Sequence, residues 1–222
     1  MLQAASNLSP NEAALPNQIH ELNTKVSQKW FGDSDMRLAR VGVHGDGSCF
    51  YHSVCFATNR EDYVHQSEAM QKDIAYRYRC SMADELDAVE MKKIIKRTTT
   101  KSPKSKKELR DELCNPRVWA DETAIRLFSK ASGLNVIFLD MSKAELYCGV
   151  HHDDALSTDI PDTLVVLWIT HSHFEPLAEI VSVGDHVSEI RAVFQPSKSK
   201  ADAVLVNTLM SKYATQCKLK RK

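Results

Sequence analysis

The chain has 222 residues, 43% of them hydrophobic, enough for one sizeable core and too many for an intrinsically disordered polypeptide. Twenty-nine basic residues balance twenty-nine acidic ones, so no chain-wide field draws the protein to nucleic acid or an anionic membrane. The longest apolar runs, "NVIFLD" and "TLVVLWIT", fall well short of a membrane span, and "MLQAASNLSPNEA" lacks the charged start and apolar centre of a secretory signal, so a soluble protein is expected. Six scattered cysteines, without a CxxC pair, suit a reducing compartment better than a disulfide scaffold.

Residues 1–16 are polar and weakly patterned, and amphipathic spacing predicts a helix from about Asn17 to Trp30. "RLARVGV" reads as a strand running into the Asp46-Gly47 turn. Ser48 is then an N-cap for a buried central helix from about Cys49 to Thr58, with Phe50, Val54 and Ala57 on a broad apolar face. Helical patterns follow over about 64–80, 83–97 and 117–131, the last closed by Gly133. "LNVIFLD", "TLVVLWIT" and "HFEPLAEI" read as strands, and the tail from about Lys200 places Val206, Met210, Tyr213 and Cys217 along one helical face. The expected fold class is therefore mixed α and β, a small central sheet flanked by helices.

Cys49 is where chemistry is available. A free thiol is largely protonated at neutral pH, but the first turn of a helix favours negative sulfur through the macrodipole and unpaired N–H groups. The backbone amides of "DGSC" also offer donors for a developing oxyanion. The competing reading is a packing thiol, and Cys55, on the apolar side of the same helix, exemplifies it.

A nucleophilic cysteine needs a base. His52 follows Cys49 at i+3 and is treated as a neighbour only. In "THSHFEPL" alternate residues of a strand share a face, so His173 and Glu175 point together while Phe174 packs behind. A carboxylate beside an imidazole fixes its tautomer and stabilises its protonated form. His171 shares that face, and periodicity alone does not separate it from His173.

These residues resemble the OTU (ovarian tumour) cysteine proteases. "DGSCFYHSV" is similar to the family's nucleophile motif, "VWADETAIRLFSKASGLNVIFLD" to its later helix and strand, and "THSHFEPL" to its closing histidine motif. The resemblance spans roughly residues 36–182, expected to form the catalytic domain, with residues 1–35 an N-terminal extension carrying one helix and 183–222 a C-terminal extension with a helix and basic tail. It implies Cys49 as nucleophile, with Gly47 and Ser48 in its loop, His173 as general base and Asp46 as the motif aspartate that forms the oxyanion loop or supports the histidine. Glu175 matches the third triad position, where the family more commonly carries Asp or Asn.

The resemblance further implies a monomeric deubiquitinase that needs no metal or organic cofactor and hydrolyses the isopeptide bond after the C-terminus of ubiquitin, polyubiquitin or a ubiquitin-like modifier through a thioester. Two alternatives stand beside it: a catalytically weak OTU-fold ubiquitin-binding module, and a nucleic-acid or membrane binder. The second would use residues 92–110, where nine Lys or Arg face the single acid Glu108. That segment reads first as a solvated loop and second as a contact for an anionic partner, and nucleic acid is not the expected ligand. "YCGVHHDD", residues 147–154, lacks the second ligand pair of a zinc site and reads first as a solvated turn between strands and second, by the resemblance, as a loop that touches ubiquitin, while "ADELDAVE", residues 83–90, is an acidic candidate near the channel for ubiquitin's tail. The expected location is cytoplasmic, in a host cytosol if the chain is a viral protein or bacterial effector, with "KLKRK" a candidate nuclear address.

Overall fold

The computed structural model describes residues 3–4, 12–32, 35–84, 105–143, 145–147, 161–169, 173–183 and 186–217. Among them, nine strands form one mixed sheet in the order β1-β2-β3-β7-β6-β4-β5, with β8 paired to β7 and β9 to β6. The strands are β1 (Gln3–Ala4), β2 (Gln18–Glu21), β3 (Leu38–Val41), β4 (Asn135–Asp140), β5 (Glu145–Leu146), β6 (Thr163–Ile169), β7 (His173–Val183), β8 (His186–Arg191) and β9 (Val193–Phe194). β4 and β6 run parallel in register Asn135 to Thr163 through Asp140 to Trp168, whereas β3, β6 and β8 all run antiparallel to β7. β7 is the central element, pairing with β6 through His173–Pro176 and with β3 and β8 farther along.

Alternation along these strands feeds two cores. Val136 and Phe138 of β4, with Leu164 and Val166 of β6, face α2 (Cys49–Ala57), α3 (Glu68–Asp84) and α5 (Glu122–Ser132). Ile137, Leu139, Val165, Leu167 and Ile169 face the opposite way, against α1 (Thr24–Phe31) and α6 (Lys200–Gln216). Burial on both faces makes the interiors of β4 and β6 continuously apolar, as buried parallel strands are, with Asn135, Asp140 and Thr163 at their ends. The result is a sheet covered by helices on each side, as the sequence predicts.

Several elements depart from that reading. The helix expected over about 17–30 begins instead as β2, paired antiparallel to β3, and turns helical only after Asn23, whose side chain accepts the Lys25 N–H at 2.8 Å. The N-cap, not the apolar spacing, sets that start. Within the basic stretch read as a loop, Lys106–Cys114 is helix α4, opened by a capping box between Ser105 and Glu108, and α5 begins at Glu122 behind the Asp121 cap rather than at 117. Residues 60–65 form a 3₁₀ turn. β5, β8 and β9 have no counterpart in the sequence reading, and β8 and β9 bring residues beyond 183 into the same sheet. The helical pattern of 85–97, the basic residues 92–104, 148–154, His171 and "KLKRK" lie outside the described residues.

α2 is buried on every side: each residue from Cys49 to Phe56 is at most 6% exposed. Cys55 is a fully buried core thiol, and Cys49, Cys55, Cys80 and Cys114 are free, whereas Cys217 is disulfide-bonded. Phe50 is the pivot of the packing. It meets Phe128 edge-on at 5.6 Å between centroids, Phe138 at 5.9 Å and Phe174 at 6.5 Å, joining α2 to α5, β4 and β7. Phe50→Ala is expected to lower unfolding stability by about 3–5 kcal/mol, read from urea denaturation, because so enclosed a site cannot collapse around the cavity.

Candidate active site

The chain leaves β3 at Val41 and reaches α2 through a tight turn at Asp46–Ser48. Gly47 adopts φ +84°, and a Cβ there would stand 2.2 Å from the Pro116 carbonyl oxygen, so both conformation and close approach demand glycine. Asp46 Oδ1 accepts the Ser48 N–H at 3.0 Å, closing the turn. Ser48 occupies the N-cap position but makes no side-chain cap bond, contrary to the sequence expectation; its hydroxyl lies 3.4 Å from Arg79 Nη1.

The turn is braced from behind by two groups that sequence reasoning passed over. His52, read only as a neighbour of Cys49, is wholly buried and contacts both Asp46 oxygens at 3.1 Å through Nε2, while its Nδ1 lies 2.6 Å from the Tyr63 hydroxyl. Burial would push the Asp46 carboxyl up, but the His52 contact and the Ser48 N–H outweigh it and hold it at about 2. Arg79 of α3, 1% exposed, donates to the Leu113 and Val118 carbonyls and reaches Gly47 O at 3.4 Å, with its guanidinium over the Tyr51 ring. A signal for Arg79 existed: it shares the buried stripe of Ile74, Ala75, Tyr78 and Met82, where a charge has no place unless it is bonded.

β7 brings the second half of the site. His173 and Glu175 do share a face: His173 Nε2 and Glu175 Oε1 are 3.6 Å apart, with His173 6% and Glu175 0% exposed. Phe174 points the other way into the core with Phe50 and Phe138. With Nε2 turned to Glu175, the imidazole presents Nδ1 toward Gly45, where a built Cβ would lie 3.6 Å from that nitrogen. The Ser53 hydroxyl donates to the Cys49 carbonyl at 2.8 Å and approaches Phe174 O at 3.3 Å, fastening α2 to β7. The Cys49 sulfur meets the Phe174 main-chain N–H, one residue along from His173.

Glu175 has two further neighbours from elsewhere in the chain. Oε1 accepts the Ala14 N–H at 2.6 Å, and Oε2 lies 3.6 Å from Arg40 Nη1 of β3, itself 2% exposed. Burial sets the proton positions of the site. It pushes the Cys49 thiol up to about 11 against the N–H groups of Phe174 and Phe50, and pushes His173 down to about 4, helped by His52 and Arg40. Glu175 is raised by burial to about 7, with Arg40 and the Ala14 N–H opposing. At neutral pH the thiol and the imidazole are thus both uncharged.

Among the described residues no group of three or more His, Cys, Asp or Glu is placed to hold a metal ion. The sequence matches no protein-family model and no curated protein. In structure, the chain is similar to an ovarian tumour (OTU) domain solved in complex with ubiquitin, with TM-score 0.51 and 15% identity over 95% of this chain and 96% of that one. The OTU domain of OTUD1 aligns at TM-score 0.43 and 11% identity, over 63% and 85% of the two chains, and the Hazara virus OTU bound to ubiquitin at 0.41 and 17%, over 65% and 83%.

Gly47→Ala is expected to cost roughly 1–3 kcal/mol of stability, since the turn must either strain its backbone or move off Pro116. A urea midpoint equal to that of the parent protein would show that the turn tolerates both.

Proposed function

We propose that this chain, which has the OTU fold, is a cysteine-dependent hydrolase that releases ubiquitin or a ubiquitin-like modifier from its conjugates. The observation that carries the reading is the meeting of α2 and β7: a thiol at a helix N-terminus against the N–H of Phe174, whose strand neighbour His173 turns Nε2 to a buried carboxylate. The likeness to an OTU domain in complex with ubiquitin supports the choice of substrate.

In the reaction so proposed, His173 takes the Cys49 proton as the sulfur attacks the carbonyl carbon of the modifier's terminal glycine. The tetrahedral oxyanion is held by the Cys49 main-chain N–H and the positive end of α2. The Ser48 N–H is already committed to Asp46, so Asp46 and Ser48 shape the nucleophile loop rather than serve the oxygen. His173 returns its proton to the departing lysine amine, leaving a thioester. Water, deprotonated by His173, then releases the carboxylate and restores the thiol. No step requires a metal or organic cofactor. Glu175 orients the imidazole and stabilises its protonated form to the extent that it is itself ionised.

A second reading, an OTU-fold ubiquitin-binding module with little turnover, draws on the depth of the site. Cys49 is 4% exposed, with a thiol held well above its ordinary value. The two readings separate on one reagent, a ubiquitin whose C-terminus carries a thiol-reactive electrophile. An adduct that forms with the parent protein and disappears in Cys49→Ala is the expected result; ubiquitin binding without adduct or turnover would favour the module.

Cys49→Ala and His173→Ala are each expected to abolish di-ubiquitin cleavage while leaving the far-ultraviolet dichroism unchanged, and Glu175→Ala to reduce it less. Because the Glu175 carboxyl titrates near 7, it is neutral below that pH and charged above it. Turnover should therefore rise as pH passes through about 7, and Glu175→Gln should flatten that limb. A limb that survives in Glu175→Gln would assign the titration to another group.

A further inference from the structure

We infer that the N-terminal segment Glu12–Asn17 is part of the site, with the Ala14 main-chain N–H as the positioning group for the Glu175 carboxylate. The inference rests on the proposed function, in which Glu175 orients His173. Ala14 and Glu175 are 161 positions apart in sequence, yet the N–H meets Oε1 at 2.6 Å, and Ala14 is only 5% exposed. Oε1 is also the oxygen that faces His173 Nε2 at 3.6 Å. A single donor from outside the strand therefore selects which carboxylate oxygen looks at the imidazole.

Glutamate needs such a donor more than a shorter acid would. Its side chain has three rotatable bonds, and among the described residues the hydrogen bond that reaches its carboxylate comes from outside β7. The extra methylene lets the carboxylate reach past His173 to the segment, where a main-chain N–H that cannot swing holds it. Without that bond, Oε1 is free to turn toward Arg40 on the other side. The groups around the carboxylate are the His173 imidazole on its own strand and the Arg40 guanidinium on β3, and Arg40 in turn feels Glu12 of the segment and lies beside His20 of β2.

The segment is seated by the fold rather than by Glu175 alone. The Asn17 N–H donates to Gly42 O at 2.9 Å, and the Gly42 N–H to Gln18 O at 2.8 Å. Gln71 of α3 reaches the Asn17 side chain at 3.4 Å. Gly42 lies flush beneath it: a Cβ there would stand 2.0 Å from the Leu15 carbonyl oxygen and 2.9 Å from Ala14 Cβ. That contact is main chain against main chain, so it cannot be relieved by a rotamer.

Two variants displace the donor by different routes. Ala14→Pro removes the N–H itself, and Gly42→Ala lifts the segment at Leu15 without touching Cys49, His173 or Glu175. With the full chain and a di-ubiquitin substrate, each should lower kcat by roughly ten- to a hundredfold, the range for a misplaced catalytic group, with KM little changed. In a Glu175→Ala background the same substitutions should cost nothing further, because the group they position is gone. A folded Ala14→Pro protein with parental kcat, or a loss that persists undiminished without Glu175, overturns the inference. Alkylation of Cys49 by iodoacetamide, followed by the mass of its peptide across pH, needs no ubiquitin. A parent protein that cleaves no ubiquitin conjugate overturns the proposed function alone, whereas identical Cys49 alkylation profiles for the parent, Ala14→Pro and Gly42→Ala overturn the positioning role.

Discussion

A carboxylate with no solvent exposure, set on the central strand of a sheet, can stay only where opposite charge and donated hydrogen bonds replace the water it lost. Glu175 meets that condition in part, through three separate pieces of chain: the Ala14 N–H donates to it at 2.6 Å, Arg40 on β3 stands 3.6 Å from it, and His173 on its own strand faces it at 3.6 Å, and the shortfall shows in a carboxyl raised to about 7. The packing of the N-terminal segment, the pairing of β2 with β3 and the position of β7 between β3 and β6 are therefore conditions on one another. Arg40 carries a desolvation penalty of its own, and the nearness of Glu175 offsets part of it.

The opposite wall of the site follows the same logic with neutral partners. Arg79 is as buried as Glu175, yet it is bonded to carbonyl oxygens from Leu113, Val118 and Gly47 rather than to an acid. Carbonyl groups at the ends of turns have lone pairs to spare, and a planar guanidinium can serve several at once. The cation thereby gathers the Asp46–Ser48 turn and the 113–118 turn onto α3. Asp46 and His52 hold the same loop by its acid side chain, so its shape is fixed from two directions.

The sequence made some of this legible and hid the rest for physical reasons. The Asp46–Ser48 turn, the apolar strands β4 and β6, and the shared face of His173 and Glu175 could be read because they are local: turn chemistry and period two act over a few residues. Asn23 and Ser105 were equally local signals, each a cap that outranks amphipathic spacing, and weighing them first would have placed α1 and α4. β5 and β9 are only two residues long, too short for any period to show, β8 spaces Val187 and Ile190 three apart rather than two, and Ala14, Arg40 and Arg79 act on the site across the fold. No periodicity announces a main-chain N–H that binds a glutamate 161 residues away.

Helix α2 has no exposed face, and the glycines on either side of Asp46, just ahead of it, stand close against other parts of the chain: a Cβ at Gly47 would lie 2.2 Å from the Pro116 carbonyl oxygen and one at Gly45 3.6 Å from His173 Nδ1. The helix that carries Cys49 is thus also the centre of the core. A substitution made to alter the surroundings of the thiol is at the same time a core substitution, felt by every element packed on α2.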